Sequence, residues 1–189
     1  MVEPLVVALR HGPFWNVTYV VGLAGGEAIV VDPAWDVPAI VAAAAAHEMR
    51  ISAALVTHGH HDHAHGLGEL AALTGARTFA HALDLPLLDE PVPALDGAVE
   101  VTDLSARIIH TPGHTPGSVC IVLGSNVFTG DTLNVTGAGR HGHEAAAAGQ
   151  LAESIRRLRE SLPGSTLVWP GHDLGPAPSV RLENIPHRV

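Results

Sequence analysis

Four residues of metal-binding type fall within six positions: His58, His60, Asp62 and His63, in the segment THGHHDH at 57–63. Neutral imidazole and carboxylate are donors that suit Zn²⁺, Fe or Mn²⁺. The segment follows an apolar run, ISAALV at 51–56. That run reads as a strand, so the four side chains leave a loop whose origin a rigid element fixes. Three further candidates recur at turns after apolar runs: His114 in TPGHTPGS, Asp131 in FTGDT and His172 in WPGHD. Each has glycine immediately before it, which permits close backbone approach and helps aim a short side chain into a crowded site. Seven such residues exceed the need of one tetrahedral ion. They suit two adjacent ions with Asp131 shared between them, because a carboxylate has two oxygens. The chain has 14 histidines, so some clustering arises by chance. A dense window followed by three strand-end repeats does not.

The pattern around these residues defines the elements that carry them. Residues 5–9, 17–22 and 27–31 are valine-rich and read as strands, with Gly25-Gly26 turning a hairpin. Asp36 or Pro38 opens an alanine-rich helix to about His47. A strand at 51–56, a helix at 66–74 and a short strand at 77–80 follow, and 84–97, with three prolines, reads as irregular. The second half repeats the order. Strands are expected at 99–102, 105–110, 118–123 and 126–129, then a glycine-rich loop at 130–143. A helix over 144–160 puts Ile155, Leu158 and Leu162 on one face and Arg156, Arg157 and Arg159 largely on the other. A last strand at 166–169 precedes PGHD, and the tail from Pro176 shows little periodicity. Strands followed by helix, twice, predict two mixed sheets packed face to face with helices outside.

At 189 residues the chain is expected to form a single domain, 1–189, with a sizeable core. The formal charge is −9, and all ten basic residues are arginine. An acidic chain without a basic run lacks the electrostatic footprint of a nucleic-acid binder or of a protein that docks on anionic membranes. No apolar stretch approaches the roughly 20 residues needed to span a bilayer. Glu3 in place of a basic start, and Arg10 and His11 ending the first apolar run, argue against a signal peptide. The expected location is the cytoplasm. Cys120 is the only cysteine, so no intrachain disulfide forms, and its place in an apolar strand reads as a buried small hydrophobe.

THGHHDH, TPGHTPGS, FTGDT and PGHD, in this order, resemble the metallo-β-lactamase superfamily, and within it the glyoxalase II (hydroxyacylglutathione hydrolase) type. The resemblance covers roughly Asn16 to Gly175. It implies an α/β fold, an αββα sandwich of two mixed β-sheets with outer helices and the site at one sheet edge. It implies that His58, His60 and His114 hold a first metal, that Asp62, His63 and His172 hold a second, and that Asp131 bridges. Two divalent ions are implied, zinc foremost, with iron or manganese as alternatives. A hydroxide between them would attack an acyl carbonyl, with Asp62 orienting it. The expected substrate is a small molecule, a thioester of a small thiol. A thiolate with a parent pKa of about 8.5 leaves without a strong acid.

Where glyoxalase II enzymes carry a basic residue after the bridging aspartate, this chain has Gly137-Ala138-Gly139-Arg140, and Arg140 could hold a substrate carboxylate. The C-terminal helical domain that grips glutathione in that branch is not expected here, which leaves the thiol carrier open. Asp32, closing the run IVVDP, is expected to orient a ligand histidine through a carboxylate–imidazole contact. His61 is read as solvated or as a neighbour of the site, His110 as a neighbour of the site, and Asn16 and Tyr19 as structural. His65, His141 and His143 lie near the site in sequence. Persulfide dioxygenases are similar in fold and motif, and that second resemblance implies one iron on His58, His114 and Asp131 and an oxidoreductase. A catalytically silent domain, a lactam hydrolase and a nuclease are less favoured.

Overall fold

A computed structural model describes residues 3–187 apart from 96, 97, 102, 103 and 145. The expected strand at 99–102 and the start of the expected helix at 144–160 therefore fall partly outside the described residues.

Strands β1 (Leu5–His11), β2 (Asn16–Gly22) and β3 (Glu27–Val31) form an antiparallel meander. Helix α1 (Val37–Ala46) then crosses to β4 (Arg50–Leu55), parallel to β3. Asp36 starts α1, its side chain accepting the Ala39 N–H at 3.2 Å, and Pro38 fits the first turn, where its missing N–H costs nothing. After β4 come α2 (His61–Ala64), α3 (Leu67–Thr74), β5 (Arg77–His81), a 3-10 turn at Ala82–Leu87 and β6 (Ala94–Leu95). The first sheet has the order β1-β2-β3-β4-β5-β6.

The second half builds β7 (Ala98–Val101), β8 (Leu104–His110), β9 (Val119–Leu123) and β10 (Asn126–Gly130). A small hairpin, β11 (Leu133–Asn134) with β12 (Gly137–Ala138), leads to α4 (Ala147–Ser161), β13 (Leu167–Pro170) and β14 (Val180–Arg181). The second sheet has the order β14-β13-β10-β9-β8-β7. Both sheets are mixed, as the order of elements predicted.

Alternation along each strand divides the core into layers. Val17, Tyr19, Val21, Ile29, Val31 and Leu55 of the first sheet meet Val119, Ile121, Leu123 and Phe128 of the second. The next residues over face outward: Val20, Ala28 and Val30 pack under α1 and α3, and Cys120, Val122 and Val127 pack under α4. Cys120 is buried as expected, and burial pushes its thiol up to about 12, so it is inert. Among the described residues, no helix is long and apolar enough to cross a membrane.

Three regions differ from the sequence reading. The first is the HGHHDH segment, which includes a single helical turn, α2, too short to show periodicity. The second is the tail, which is not structureless: Leu182 and Ile185 are buried against α4 and β13. The third is Arg159, which does more than face solvent. Its guanidinium donates to the carbonyls of Leu182, Ile185 and Pro186 at 3.0–3.1 Å, and so fastens that tail.

Candidate metal centre

The seven candidate residues leave the ends of β4, β8, β10 and β13 and converge at one edge of the sandwich. Their donor atoms form three overlapping groups, each within 4.8 Å: His58–His60–His114, His58–His63–Asp131 and Asp62–His63–His172. Two glycines make this convergence sterically feasible. At Gly130, φ is +48° and a Cβ would overlap the Thr57 side chain. At Gly171, a Cβ would sit 2.6 Å from the His63 ring.

In His58, His63, His114 and His172, hydrogen bonds fix which nitrogen of the ring faces the centre. His63 Nδ1 lies 2.9 Å from Asp32 Oδ2, His114 Nδ1 lies 2.6 Å from the Arg140 carbonyl, and His172 Nδ1 lies 2.8 Å from the Phe14 carbonyl. An oxygen acceptor requires the proton on Nδ1, so Nε2 carries the lone pair in the neutral ring. Thr57 does the same for His58: its hydroxyl donates to Asp32 Oδ2 at 2.8 Å, leaving its oxygen to accept from His58 Nδ1 at 3.2 Å. His58 Nε2 is then a buried nitrogen with no hydrogen-bond partner.

The inward atoms crowd one another. His63 Nε2 is 3.2 Å from His172 Nε2, and His60 Nδ1 is 3.0 Å from His114 Nε2. Two lone pairs at such distances repel unless a cation sits between them or a proton neutralises one. Asp131 Oδ2 is 3.3 Å from His114 Nε2, and Oδ1 is 3.2 Å from His172 Nε2 without a hydrogen bond. Its two oxygens therefore address two different groups. Orphaned inward donors of this chemistry fit divalent metal ions.

Charge is arranged to the same end. Burial holds His58 well below its ordinary value, with the neighbouring His63 adding to the effect, and burial also lowers His114. Both rings are neutral and ready as ligands. Burial opposes charge on His172 too, but contact with Asp131 outweighs it and raises the ring to about 9. On His63, burial is likewise overcome by Asp32, Asp131 and Asp62, and the net shift is upward. Burial would raise Asp131, yet His172, His58 and His63 hold it far below the carboxylate range.

A pH dependence follows from these directions. In the metal-free protein the His172 proton stays on up to about 9 and must leave before that nitrogen can bind an ion. Apparent affinity of the Asp62–His63–His172 group is expected to rise with pH between 7 and 9, by about tenfold per pH unit for each proton displaced. The stabilisation of the metal-free fold by the charged His172 ring is full below 6.5 and lost as pH rises through about 9. Titrations against a competing chelator at pH 7, 8 and 9, beside melting curves of metal-free protein, check both slopes.

The neighbours of the cluster are as informative as its members. Asp32 sits at φ +52°, a strained conformation for a non-glycine residue, and is buried. It accepts the Thr57 N–H at 2.7 Å and meets His63, so one carboxylate braces both the β4 end and a candidate ligand. Asn16, read from sequence as structural, donates to Asp62 Oδ2 at 3.0 Å and to its backbone carbonyl at 2.9 Å. Tyr19 donates to the Pro170 carbonyl at 2.6 Å, tying β2 to the strand that leads to His172. His110 is not beside the cluster; it stacks on His81 at 4.3 Å and meets the Pro116 carbonyl at 2.8 Å.

Asp84 escaped the sequence reading altogether. It is buried in the 3-10 turn and accepts three hydrogen bonds: Gly59 N–H at 2.8 Å, Gly117 N–H at 2.7 Å and Thr115 Oγ1 at 2.6 Å. Those donors belong to the loops that carry His58, His60 and His114. A lone aspartate in a proline-rich stretch offers no sequence signal for this.

A cleft of about 950 Å³ opens above the cluster, with His60, Asp62, His114, Asp131 and His172 on its floor. Phe14, Trp15, Leu87 and Leu174 supply apolar wall, and Arg140, His141, His143 and Gln150 supply polar wall. His61 and His65 do not line it.

The chain is 25% identical over 185 residues to a probable polyketide biosynthesis zinc-dependent hydrolase of Bacillus subtilis, covering 95% of this chain and 82% of that protein. It is 42% identical over 162 residues to the hydroxyacylglutathione hydrolase of Anaeromyxobacter dehalogenans, covering 84% of this chain and 61% of the relative. The chain thus spans about three-fifths of the length of that hydrolase. The crystal structure of ETHE1 from Myxococcus xanthus superposes with a TM-score of 0.83 at 30% identity, covering 95% of this chain and 80% of that one. The sequence profile of the Metallo-beta-lactamase superfamily matches residues 12–172, a span that contains all seven cluster residues. The chain therefore belongs to the metallo-beta-lactamase superfamily.

Proposed function

We propose that this protein is a cytoplasmic metal-dependent hydrolase that cleaves a thioester of a small thiol. The observation that carries the reading is the pairing of two inward-facing donor groups, His58–His60–His114 and Asp62–His63–His172, with one oxygen of Asp131 toward each. In this reading the first group would hold one divalent ion and the second another, with Asp131 placed to serve both. Zinc is the foremost candidate, in keeping with the zinc-dependent relative. When bound, such ions lower the pKa of water toward ~7 and polarise a carbonyl oxygen.

The remaining work falls to side chains. Asp62 Oδ2 lies 3.8 Å from both His63 Nε2 and His172 Nε2 and is held there by the Asn16 amide, so the carboxylate is placed to orient the attacking water. The apolar wall of Phe14, Trp15 and Leu174 gives the acyl group a hydrophobic surface to lie against. The leaving thiolate, with a parent pKa near ~8.5, needs no dedicated acid. Arg140 lies exposed at the rim of the cleft, where its planar guanidinium can take a substrate carboxylate in a bidentate pair. Arg140→Ala is expected to raise KM about tenfold with kcat little changed, the signature of lost ground-state binding. Initial rates at varied substrate concentration read this directly.

The test of the proposal is thiol release from a panel of thioesters, S-lactoylglutathione and coenzyme A esters included, by metal-loaded protein. Turnover that His58→Ala abolishes supports it. A fully loaded protein that releases no thiol from any member counts against it. The second reading, a single-iron persulfide dioxygenase, draws on the convergence of His58, His114 and Asp131, and oxygen consumption with a persulfide is its distinguishing assay.

A further inference from the structure

A second cluster of donors lies on the outer face of α2, turned away from the cleft. His61 and His65 are one helical turn apart, the His65 N–H bonding the His61 carbonyl at 3.0 Å. Residues four apart on a helix share a face, and the two imidazoles lie 4.2 Å apart with an interplanar angle of 32°. Asp89, from the segment after the 3-10 turn, brings a carboxylate to the same place, so that one donor atom of each residue lies within 4.8 Å of the others. All three residues are exposed, and neither histidine makes a side-chain hydrogen bond to another described residue. Trp35 borders the pair, its ring centroid 5.7 Å from that of His61 and 5.6 Å from that of His65.

We propose that His61, His65 and Asp89 form a separate surface site for one divalent transition-metal ion of the zinc, nickel or copper(II) class. Two imidazoles exclude calcium and magnesium, which take oxygen donors. Solvent exposure lets water complete the shell, and a chain charge of −9 draws cations to the surface. Three open donors hold an ion more weakly than the buried cluster does, so the site fills only after the inner groups. The ion would tie the outer face of α2 to the segment that carries Asp89, while Asp62 and His63 on the same turn face the inner donor cluster. The inference does not depend on the reaction proposed above, since its readout is binding.

The experiment uses untagged protein with its inner groups filled, cleared of loose metal and then titrated with nickel(II) by equilibrium dialysis, with tryptophan emission followed in parallel. The wild type should bind one further equivalent in the micromolar range, with emission quenched through Trp35. The double variant His61→Ala/His65→Ala should lose that equivalent and the quench while keeping its thermal melt and its inner metal. Asp89→Asn, with all imidazoles intact, should weaken binding by about tenfold or more, the loss expected of one charged donor. No further equivalent in the wild type overturns the proposal. So does an equivalent that persists in the double variant.

Discussion

Asp131→Ala is expected to lower kcat/KM by about 10³-fold or more, since the metal chemistry it supports supplies several kcal/mol of transition-state stabilisation. The two oxygens of Asp131 address the two donor groups, Oδ2 toward His114 and Oδ1 toward His172. The carboxylate also carries the negative charge that offsets the surrounding rings, which is why its own pKa is so depressed. Removing it leaves a set of facing nitrogens with less reason to hold cations. Metal content should fall along with turnover. The fold should survive, because the inward core around Tyr19, Phe128 and Ile121 is left intact. Steady-state kinetics beside elemental analysis and a circular dichroism melt separate these effects. An Asp131→Ala protein with near-normal rates and full metal would remove Asp131 from the account.

The second large effect is expected at Asp84, which touches neither cleft nor candidate ligand. Asp84→Ala strands the Gly59 and Gly117 N–H groups and weakens the tie to Thr115. A buried donor left unpaired costs about 1–3 kcal/mol. The loss should reach about 3 kcal/mol or more in all, roughly a 6–12 °C fall in melting temperature at this chain length. The loops it joins carry His58, His60 and His114, so metal affinity of that group should fall about 10–100-fold, as when an outer-sphere partner is lost. The Asp62–His63–His172 group hangs on other anchors, Asn16, Asp32 and the Phe14 carbonyl, and should be affected far less. That asymmetry distinguishes a positioning role from general destabilisation. Asp84→Asn provides a nearly isosteric variant: one oxygen remains to accept, while the amide places a donor against a donor. It should fall between wild type and Asp84→Ala in melting temperature and in affinity at the first group. Equal loss at both groups would mean that Asp84 merely supports the fold.

Much of the site was legible because its donors are packed into short local strings at strand ends, where types and spacing suffice. The sandwich was legible for a related reason. Strands such as Val17–Val21 alternate between two apolar faces, and the strand-then-helix order occurs twice. What escaped depends on contacts distant in sequence. Asp84 acts across 25 residues to Gly59 and 33 to Gly117, and nothing in ALDLPL announces an acceptor of three bonds. Asn16 gains its role from Asp62, 46 positions away. The tail lacks periodicity because its elements, β14 and a 3-10 turn at Leu182–Asn184, are too short to show any, and Leu182 and Ile185 are fixed against α4 and by Arg159. The turn at α2 is shorter than one period of the pattern that reveals helices, yet it decides that Asp62 and His63 face the inner donor cluster while His61 and His65 do not.

The most direct test of the central claim is the number of metal ions that remain with each chain when the protein is purified without added metal or chelator and passed through gel filtration. Elemental analysis should find about two equivalents, zinc foremost, because two donor groups share Asp131 and both point inward, whereas the exposed site on α2 releases its ion in the column. A single equivalent, nearly all iron, would contradict the two-ion hydrolase and leave the dioxygenase reading in its place.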